Sequence, residues 1–325
     1  MQSMLTVTNL RVYYHTPRGP VRAVDDVNLE LRVGERYGLI GESGSGKTTA
    51  ALAFMRLIKP PGRIESGRVL LEDTDLLKLS EDEMRKQRLD KIALITQGAM
   101  NSLNPVMRIR HQFTDGLKSH NAGLTKRETH AHVESLLARV GLDGEVAGMY
   151  PHQLSGGMKQ RVCTAIAISL SPKVIIADEP TSALDVVVQR QVMETIRKVQ
   201  QDLNATVLLI GHDMGLMAQF ANRVGIMYAG KILEEGYVHD IFAHPRHPYS
   251  QLLIASLPSL DEKTKSRGIS GAPPSLLDPP SGCVFHPRCP YVLPRCSVEI
   301  PTQHSVAPDH WAACHLLNAH EEVIE

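Results

Sequence analysis

The 325-residue sequence has no uninterrupted apolar run approaching the roughly 18 to 20 residues that a membrane-spanning helix needs. Its first ten residues, MQSMLTVTNL, also lack the basic and then apolar pattern of a signal peptide. From these two absences we expect a soluble protein of the cytoplasm.

The sequence also lacks an excess of charge of either sign. It contains 35 Lys and Arg residues and 35 Asp and Glu residues, so the formal net charge is zero. Bulk attraction to DNA, RNA or an anionic membrane is therefore not its organising principle. At 42% hydrophobic and 22% charged residues, the chain suits one large globular unit or two unequal ones.

Cysteine is scarce through most of the chain. Residues 1–258 contain only Cys163, whereas four cysteines lie between Cys283 and Cys314, and nine of the 20 prolines lie in 271–308. Because no export signal is evident, these thiols indicate a metal or cluster site more than a disulfide framework. We predict a main domain over 1–258 and a C-terminal extension over 259–325, which begins with a Pro/Gly/Ser-rich linker.

Short apolar strands alternate with helical stretches through residue 230, which predicts an α/β fold with a mostly parallel sheet. Between 187 and 203, apolar residues at 187, 192, 196, 199 and 203 predict a helix with one face on the sheet. Residues 98–171 contain amphipathic helices, 126–140 above all, and no convincing strand, so they form a predicted helical insertion. The clearest predicted strands are 36–40, 92–96, 174–178, 206–211 and 224–228.

A glycine-rich motif follows the predicted strand RYGLI and precedes the helical sequence TTAALAFMRLI. The motif fits the P-loop pattern G-x-x-x-x-G-K-[ST] in the strand, loop and helix context that a P-loop requires. Its backbone N–H groups would surround phosphates, Lys47 would reach the β- and γ-phosphates, and Thr48 would ligate Mg²⁺. The alternative is a glycine-rich turn without a ligand. The motif comprises Gly41, Glu42, Ser43, Gly44, Ser45, Gly46, Lys47 and Thr48.

Two carboxylates end the apolar segment VIIADE at 174–179. Asp178 would hold Mg²⁺ through its water shell, and Glu179 would orient the water that attacks the γ-phosphate. An acidic pair of this kind is often only a solvated strand end. Its occurrence together with the P-loop favours the catalytic interpretation.

The segment LSGGMKQR at 154–161 closely resembles the signature motif of ABC-type ATPases, and further family motifs occur in the expected order. Gln97 resembles the Q-loop glutamine, Ser182 to Asp185 the D-loop, His212 the switch histidine and Tyr14 the aromatic residue that stacks on adenine. The neighbouring Tyr13 would face the opposite side of a strand, and the resemblance favours Tyr14 of the two. Together the motifs cover about residues 4–240.

This resemblance implies an ABC ATPase fold with an antiparallel β subdomain beside the core sheet, and a role for each motif. The signature residues Ser155, Gly156, Gly157 and Gln160 would bind the γ-phosphate held by a partner's P-loop, so the active site implies dimerisation. Gln97 would contact Mg²⁺ or the attacking water, and His212 would stabilise the charge of the transition state. Thr49 joins the ATP-binding residues and Asp185 is the D-loop residue.

Four stretches narrow the resemblance to the ATPase subunits of dipeptide, oligopeptide and nickel importers: NSLNPVMRI, YPHQLSGGMKQRV, DEPTSALDV and HPRHPYSQLL. It implies a peripheral subunit on the cytoplasmic face of the membrane that uses ATP and Mg²⁺. Its partners would be a second and related ATPase in a heterodimer, two separate permeases and a solute-binding protein, with no nucleic acid. The alternative is a soluble ABC ATPase that acts on nucleic acid or ribosomes, although those usually have two cassettes or basic insertions.

The C-terminal cysteines follow the spacing C-x5-C-x6-C-x17-C. Four thiolates of one loop-rich segment can enclose Zn²⁺ or an iron–sulfur cluster, and the wide spacing favours zinc less. The resemblance implies a 4Fe–4S cluster held by Cys283, Cys289, Cys296 and Cys314. We interpret the nearby histidines 286, 304, 310 and 315 as loop residues, and Cys163 as a small buried hydrophobic residue.

Overall fold

The computed structural model describes residues 2–98, 102–182, 184–257 and 268–317. Its strands are β1 Ser3–Thr16, β2 Gly19–Arg32, β3 Arg36–Ile40, β4 Gly62–Leu71, β5 Thr74–Asp75, β6 Ile92–Ile95, β7 Val174–Asp178, β8 Thr206–Gly211, β9 Arg223–Tyr228, β10 Lys231–Tyr237, β11 His304–Ala307 and β12 His310–Ala312. Its α-helices are α1 Lys47–Phe54, α2 Glu81–Gln87, α3 Ile109–Ser119, α4 Lys126–Arg139, α5 Gly156–Ala167, α6 Val186–Leu203, α7 Met214–Phe220, α8 Val238–Ala243 and α9 Pro248–Ala255. Within these ranges, no helix combines the length and apolar character needed to cross a bilayer.

The chain divides into two compact units. The first unit comprises Met1–Leu5, Leu31–Glu35 and Leu71–Ile210, and the second comprises Thr6–Glu30, Arg36–Leu70 and Gly211–Glu325. The predicted boundary at residue 258 falls in 258–267, which lies outside the described residues. The P-loop and the cysteine-bearing extension thus both belong to the second unit.

The first unit is built on three parallel strands. Strand β7 pairs with β6 on one side and β8 on the other, so that Ile176 lies opposite Leu94 and Leu208. Every residue of β7 and β8 is buried, as expected for apolar strands of a parallel sheet. The five predicted strands are confirmed to within one residue at either end.

Helix α6 follows β7 and begins at the N-cap Asp185, whose carboxylate accepts a hydrogen bond from the Val188 N–H. It buries Val192, Ile196 and Val199, as predicted. The prediction was wrong for Val187, which is 67% exposed. At 100° per residue, Val187 lies about 140° around the helix from Val192 and so cannot share its face.

The predicted helical insertion contains α3, α4 and the signature helix α5, and the described residues between 102 and 171 contain no strand. Thr125 and Glu128 form a reciprocal capping box that starts α4. Residues 99–101, immediately after the predicted Q-loop, lie outside the described part of the chain. Cys163 is buried in α5, and burial raises the pKa of its thiol to about 11. The prediction of a small buried hydrophobic residue is confirmed.

The second unit contains the parallel pair β3 and β9, followed by β10, β12 and β11 in antiparallel order. Strands β1 and β2 are neighbours joined by a two-residue turn, which makes them an antiparallel hairpin. The residue pattern predicts no strand in the C-terminal extension, whereas β11 and β12 lie there and extend this sheet. The alternation of apolar and polar residues in these two strands is too short to be recognised in a segment so rich in proline.

The extension also contributes to the core of the second unit. The ring of Phe285 is fully buried and packs 5.3 Å from both Tyr228 and Tyr249, measured between ring centroids. On strand β12, the buried His310 imidazole lies 2.8 Å from the carboxylate of the buried Glu234 on β10. These contacts attach the extension to the β9, β10 and α9 segments by both apolar and charged groups.

Candidate functional site

The P-loop connects β3 to α1 in the second unit, and two of its glycines are required by close backbone approach. A Cβ on Gly41 would lie 2.0 Å from the Met227 carbonyl oxygen, and a Cβ on Gly46 would lie 2.0 Å from that of Ala23. Gly46 also has φ of 107°, in the left-handed region that favours glycine. The loop therefore lies so close to the backbone at Ala23 and Met227 that no residue with a side chain fits at Gly41 or Gly46.

Lys47 is the first residue of α1, and its side chain turns back over the loop. The Nζ atom donates to the carbonyl oxygens of Gly41 at 2.8 Å and Glu42 at 2.9 Å, and lies 3.4 Å from Ser45 Oγ. Thr48 and Thr49 continue the first turn of α1. A lysine ammonium, a glycine-rich turn and a helix N-terminus together form an anion site suited to phosphate groups.

The predicted adenine-stacking residue Tyr14 lies on β1, next to Tyr13. Tyr13 donates a 2.7 Å hydrogen bond from its hydroxyl to Asp25, whereas the Tyr14 ring lies against Gly62 and is half-exposed. The two tyrosines face opposite sides of the strand, as its alternation requires. The stacking of Tyr14 on adenine stays a prediction.

In the first unit, Gln97 and Glu179 are brought together. The Gln97 Nε2 group donates a 2.9 Å hydrogen bond to Oε2 of Glu179. Glu179 follows the buried Asp178 and has φ of 43°, while its N–H donates to the Ile210 carbonyl at 2.9 Å. A non-glycine residue in this region stores local strain that is common at functional sites. The backbone thus directs two successive carboxylates, one buried and one half-exposed, to different surroundings.

The signature motif forms the start of helix α5 in the same unit. Ser155 is the N-cap, and its hydroxyl accepts a 3.3 Å hydrogen bond from the Met158 N–H. A Cβ on Gly157 would lie 2.5 Å from Val188 Cγ1, so this glycine allows α5 to contact α6. Gln160 is buried, and its Nε2 atom has no hydrogen-bond partner. Ser155 and Gly156 present an exposed helix N-terminus, the end at which a helix attracts anions.

Asp185 and His212 lie at the ends of regular elements. Asp185 is the exposed N-cap of α6, at the end of the predicted D-loop, in which Ala183 lies outside the described residues. His212 is exposed and follows the last residue of β8 directly. Both positions agree with the loop locations from which functional side chains commonly act.

The four C-terminal cysteines lie in one module of the second unit. Cys283 N–H donates to the Cys296 carbonyl at 2.8 Å. The pKa values of Cys283 and Cys314 are both raised to about 11, chiefly by burial and in smaller part by the neighbouring cysteines of the set. Among the described residues, however, no three His, Cys, Asp or Glu side chains form a group that could hold a metal ion.

The histidines near these cysteines have other partners. His286 Nδ1 lies 3.0 Å from the Cys283 carbonyl, His315 Nε2 lies 2.9 Å from that of Glu299, and His304 Nε2 lies 2.8 Å from the Thr302 hydroxyl. His310 is paired with Glu234, as described above. The interpretation as loop residues is wrong for His304 and His310, which begin strands β11 and β12. That none of the four histidines is a metal ligand stays a prediction.

A contact between the P-loop and the extension has no signal in the sequence. Arg288, adjacent to Cys289, forms two hydrogen bonds with the Glu42 carboxylate, although 246 residues separate them. Tyr249 accepts a 3.0 Å hydrogen bond from the Glu42 N–H. No local pattern signals a pair so far apart in sequence.

Comparison with known proteins adds two family matches. The family described as "ABC transporter" matches residues 24–182, and "Oligopeptide/dipeptide transporter, C-terminal region" matches residues 233–296. The chain is 42% identical to the oligopeptide transport ATP-binding protein AppF of Bacillus subtilis (strain 168), over 92% of this chain and 90% of that protein. It is 40% identical to the dipeptide transport ATP-binding protein DppD of Escherichia coli (strain K12), over 96% of both chains.

A similar solved structure is a dimeric ATP-binding cassette in a post-hydrolysis state bound to ADP and Pi. It matches with a TM-score of 0.65 and 28% identity, over 72% of this chain and 99% of that one. The predicted ABC ATPase fold is thereby confirmed.

Proposed function

Because this chain belongs to the ABC transporter family, among the oligopeptide and dipeptide transport ATP-binding proteins, we propose that it binds and hydrolyses ATP to power import of a peptide-like solute. The observation that carries this proposal is a P-loop with its lysine in place, in a chain similar to such proteins over almost its whole length. The reaction converts ATP and water to ADP and phosphate. Its free energy would drive a conformational change in the membrane permeases.

Each motif has a chemical task in this reaction. The P-loop N–H groups and Lys47 bind the phosphates. Thr48 would ligate Mg²⁺, and Asp178 would hold it through its water shell. Glu179 takes a proton from the attacking water, which Gln97 helps to orient through its amide. His212 stabilises the charge that develops on the γ-phosphate. Tyr14 stacks on the adenine ring.

A second ATPase chain completes the site in this proposal. Ser155, Gly156 and Gly157 begin a 12-residue helix whose exposed N-terminus suits the γ-phosphate held by the partner, and Asp185 faces that partner beside it. The dimeric similar structure supports the arrangement. We propose a related ATPase as partner, in a heterodimer.

Two membrane permeases and a solute-binding protein complete the transporter, and this chain lies peripherally at the cytoplasmic face of the membrane. The test is to purify the chain in detergent from cells that also produce the permeases and the solute-binding protein of its transporter. We expect permeases to be recovered with it, and ATP hydrolysis to rise when binding protein and peptide are added to the complex in liposomes. Salt-sensitive retention on nucleic acid instead of permeases would contradict the proposal and favour the soluble alternative.

We further propose that Cys283, Cys289, Cys296 and Cys314 hold a 4Fe–4S cluster, with Zn²⁺ as the less favoured occupant. The support is the donor set itself, four thiols in one module that interact electrostatically. Such a cluster would crosslink and stabilise a segment that has few apolar residues.

Iron and acid-labile sulfide content of the anaerobically purified chain tests the cluster proposal. We expect about four of each per chain by the stoichiometry of the cluster. Cys296→Ser should lose most of the iron, because one ligand is removed, and Cys163→Ser should keep it. Stoichiometric zinc without iron, or equal iron in both variants, would contradict the proposal.

A further inference from the structure

Arg288 is a buried cation with every N–H donor engaged. Its Nη1 group donates to Glu42 Oε2 at 2.6 Å and to the Tyr228 hydroxyl at 3.1 Å. Its Nη2 group donates to Glu42 Oε1 at 3.1 Å and to the Ile269 carbonyl at 3.2 Å. Its Nε group donates to the Ser270 carbonyl at 3.0 Å, and the side chain is 4% exposed. A two-pronged pair of this kind fixes orientation as well as charge.

Glu42, the acceptor, is the second residue of the P-loop and is held at three points. Its side chain accepts from Arg288, its N–H donates to the Tyr249 hydroxyl, and its carbonyl accepts from Lys47 Nζ. The first two contacts come from outside the P-loop, and the third comes from the lysine that binds phosphate. Any movement of the Glu42 backbone would therefore be transmitted to Lys47.

The segment that precedes Arg288 also lies against the P-loop. Pro273, Pro274 and Leu276 line a small cleft together with Glu42 and the following loop residues. The Leu276 carbonyl accepts a 2.9 Å hydrogen bond from the Arg22 N–H, which attaches this segment to β2. The extension thus contacts the P-loop through its backbone segment and, independently, through the Arg288 guanidinium.

We propose that Arg288 is a positioning residue for the nucleotide site, through which the cysteine-bearing extension sets the affinity of the P-loop for ATP. This inference rests on the proposed ATPase function and adds the residue by which the extension acts on it. Arg288 neutralises the Glu42 carboxylate, which would otherwise repel a triphosphate bound in the same loop. It also holds the Glu42 backbone, and so the carbonyl that orients Lys47.

Steady-state ATP hydrolysis by the 325-residue chain in its transporter complex tests the inference. In Arg288→Ala we expect the KM for ATP to rise about tenfold while kcat changes less than threefold, because a charge-assisted pair is lost but the catalytic carboxylate is retained. Adding Glu42→Gln to that variant should return KM most of the way to the wild-type value, since the unpaired negative charge is removed. Arg288→Lys keeps the charge without the two-pronged geometry, and should give an intermediate KM.

Arg295→Ala is the matched control, because Arg295 belongs to the same module and donates to the His315 carbonyl at 2.8 Å. A purely structural role for the extension would raise KM equally in the Arg288 and Arg295 variants, and Glu42→Gln would then give no rescue. Either result, or an unchanged KM in Arg288→Ala and Arg288→Lys, would overturn the inference. Should Arg288→Ala fail to fold, Arg288→Lys alone carries the comparison with Arg295→Ala. A wild-type complex that does not hydrolyse ATP would refute the proposed function instead.

Discussion

Replacing Glu179 with glutamine is expected to lower kcat for ATP hydrolysis by at least about a hundredfold, the usual effect of removing a general base. The variant keeps the size of the side chain, and its amide oxygen can still accept the hydrogen bond that Gln97 donates to Glu179. It loses only the carboxylate that we propose as the acceptor of a proton from water. ATP should therefore still bind, and ATP-dependent dimers should accumulate because they no longer hydrolyse their nucleotide.

Phosphate release measures the rate, and light scattering with and without MgATP measures dimerisation. Glu194→Gln is the matched control, since Glu194 lies exposed on α6 of the same unit. It should hydrolyse ATP at the wild-type rate. Ordinary turnover in the Glu179 variant would exclude this carboxylate as the base.

Lys47→Ala should instead act on binding. The ammonium is the point charge of the P-loop, and hydrogen bonds to charged groups commonly stabilise by about 1.5–3 kcal/mol. Its loss should raise the Kd for MgATP roughly ten- to a hundredfold. Hydrolysis falls with it, and dimers should not form at ATP concentrations that saturate the wild type.

Titration calorimetry with MgATP checks this expectation. The control is Lys59→Ala, because Lys59 is exposed in the loop after α1. The side chain of Lys47 also donates to the Gly41 and Glu42 carbonyls, so a thermal unfolding midpoint must accompany the binding data. A folded Lys47→Ala variant with wild-type affinity would refute the assignment of the P-loop.

The two variants distinguish the role of the Glu179 carboxylate from that of the Lys47 ammonium, because they change ATP turnover and ATP binding differently. Glu179→Gln should retain binding and lose turnover, whereas Lys47→Ala should lose binding first. A chain that is only a regulatory module would show no loss of turnover in the Glu179 variant, since it would not hydrolyse ATP in the wild type.

The elements that sequence predicted well are those whose chemistry or packing is local. Strand β7 is a run of apolar residues that ends at Asp178 and is followed directly by Glu179, so its location and the function that we propose for it are both evident within six residues. The P-loop likewise contains its glycines, lysine and helix start in one contiguous motif. For α6 the limits were predicted within one residue, and only the angular position of Val187 was assigned wrongly.

What sequence did not predict depends on pairs distant in the chain. Arg288 and Glu42 carry no local signal of their interaction, because either residue alone is an ordinary surface charge by type. Strand β12 spans only His310–Ala312 and is specified by its pairing with β10. The left-handed backbone at Glu179 is also invisible to residue patterns, since it occurs together with an N–H bond to Ile210, which is distant in the chain.

The pairing of β12 with β10 also bears on how this chain is protected from aggregation through an open sheet edge. Strand β10 is seven residues long and almost wholly buried, and without a neighbour its backbone would be a template for the strand of another molecule. The extension covers this edge of β10 with β12 and ends the sheet with β11. Because β11 spans only four residues, it offers another molecule few backbone groups for pairing. Removing the extension would therefore expose an aggregation-prone edge together with the pocket that Phe285 fills.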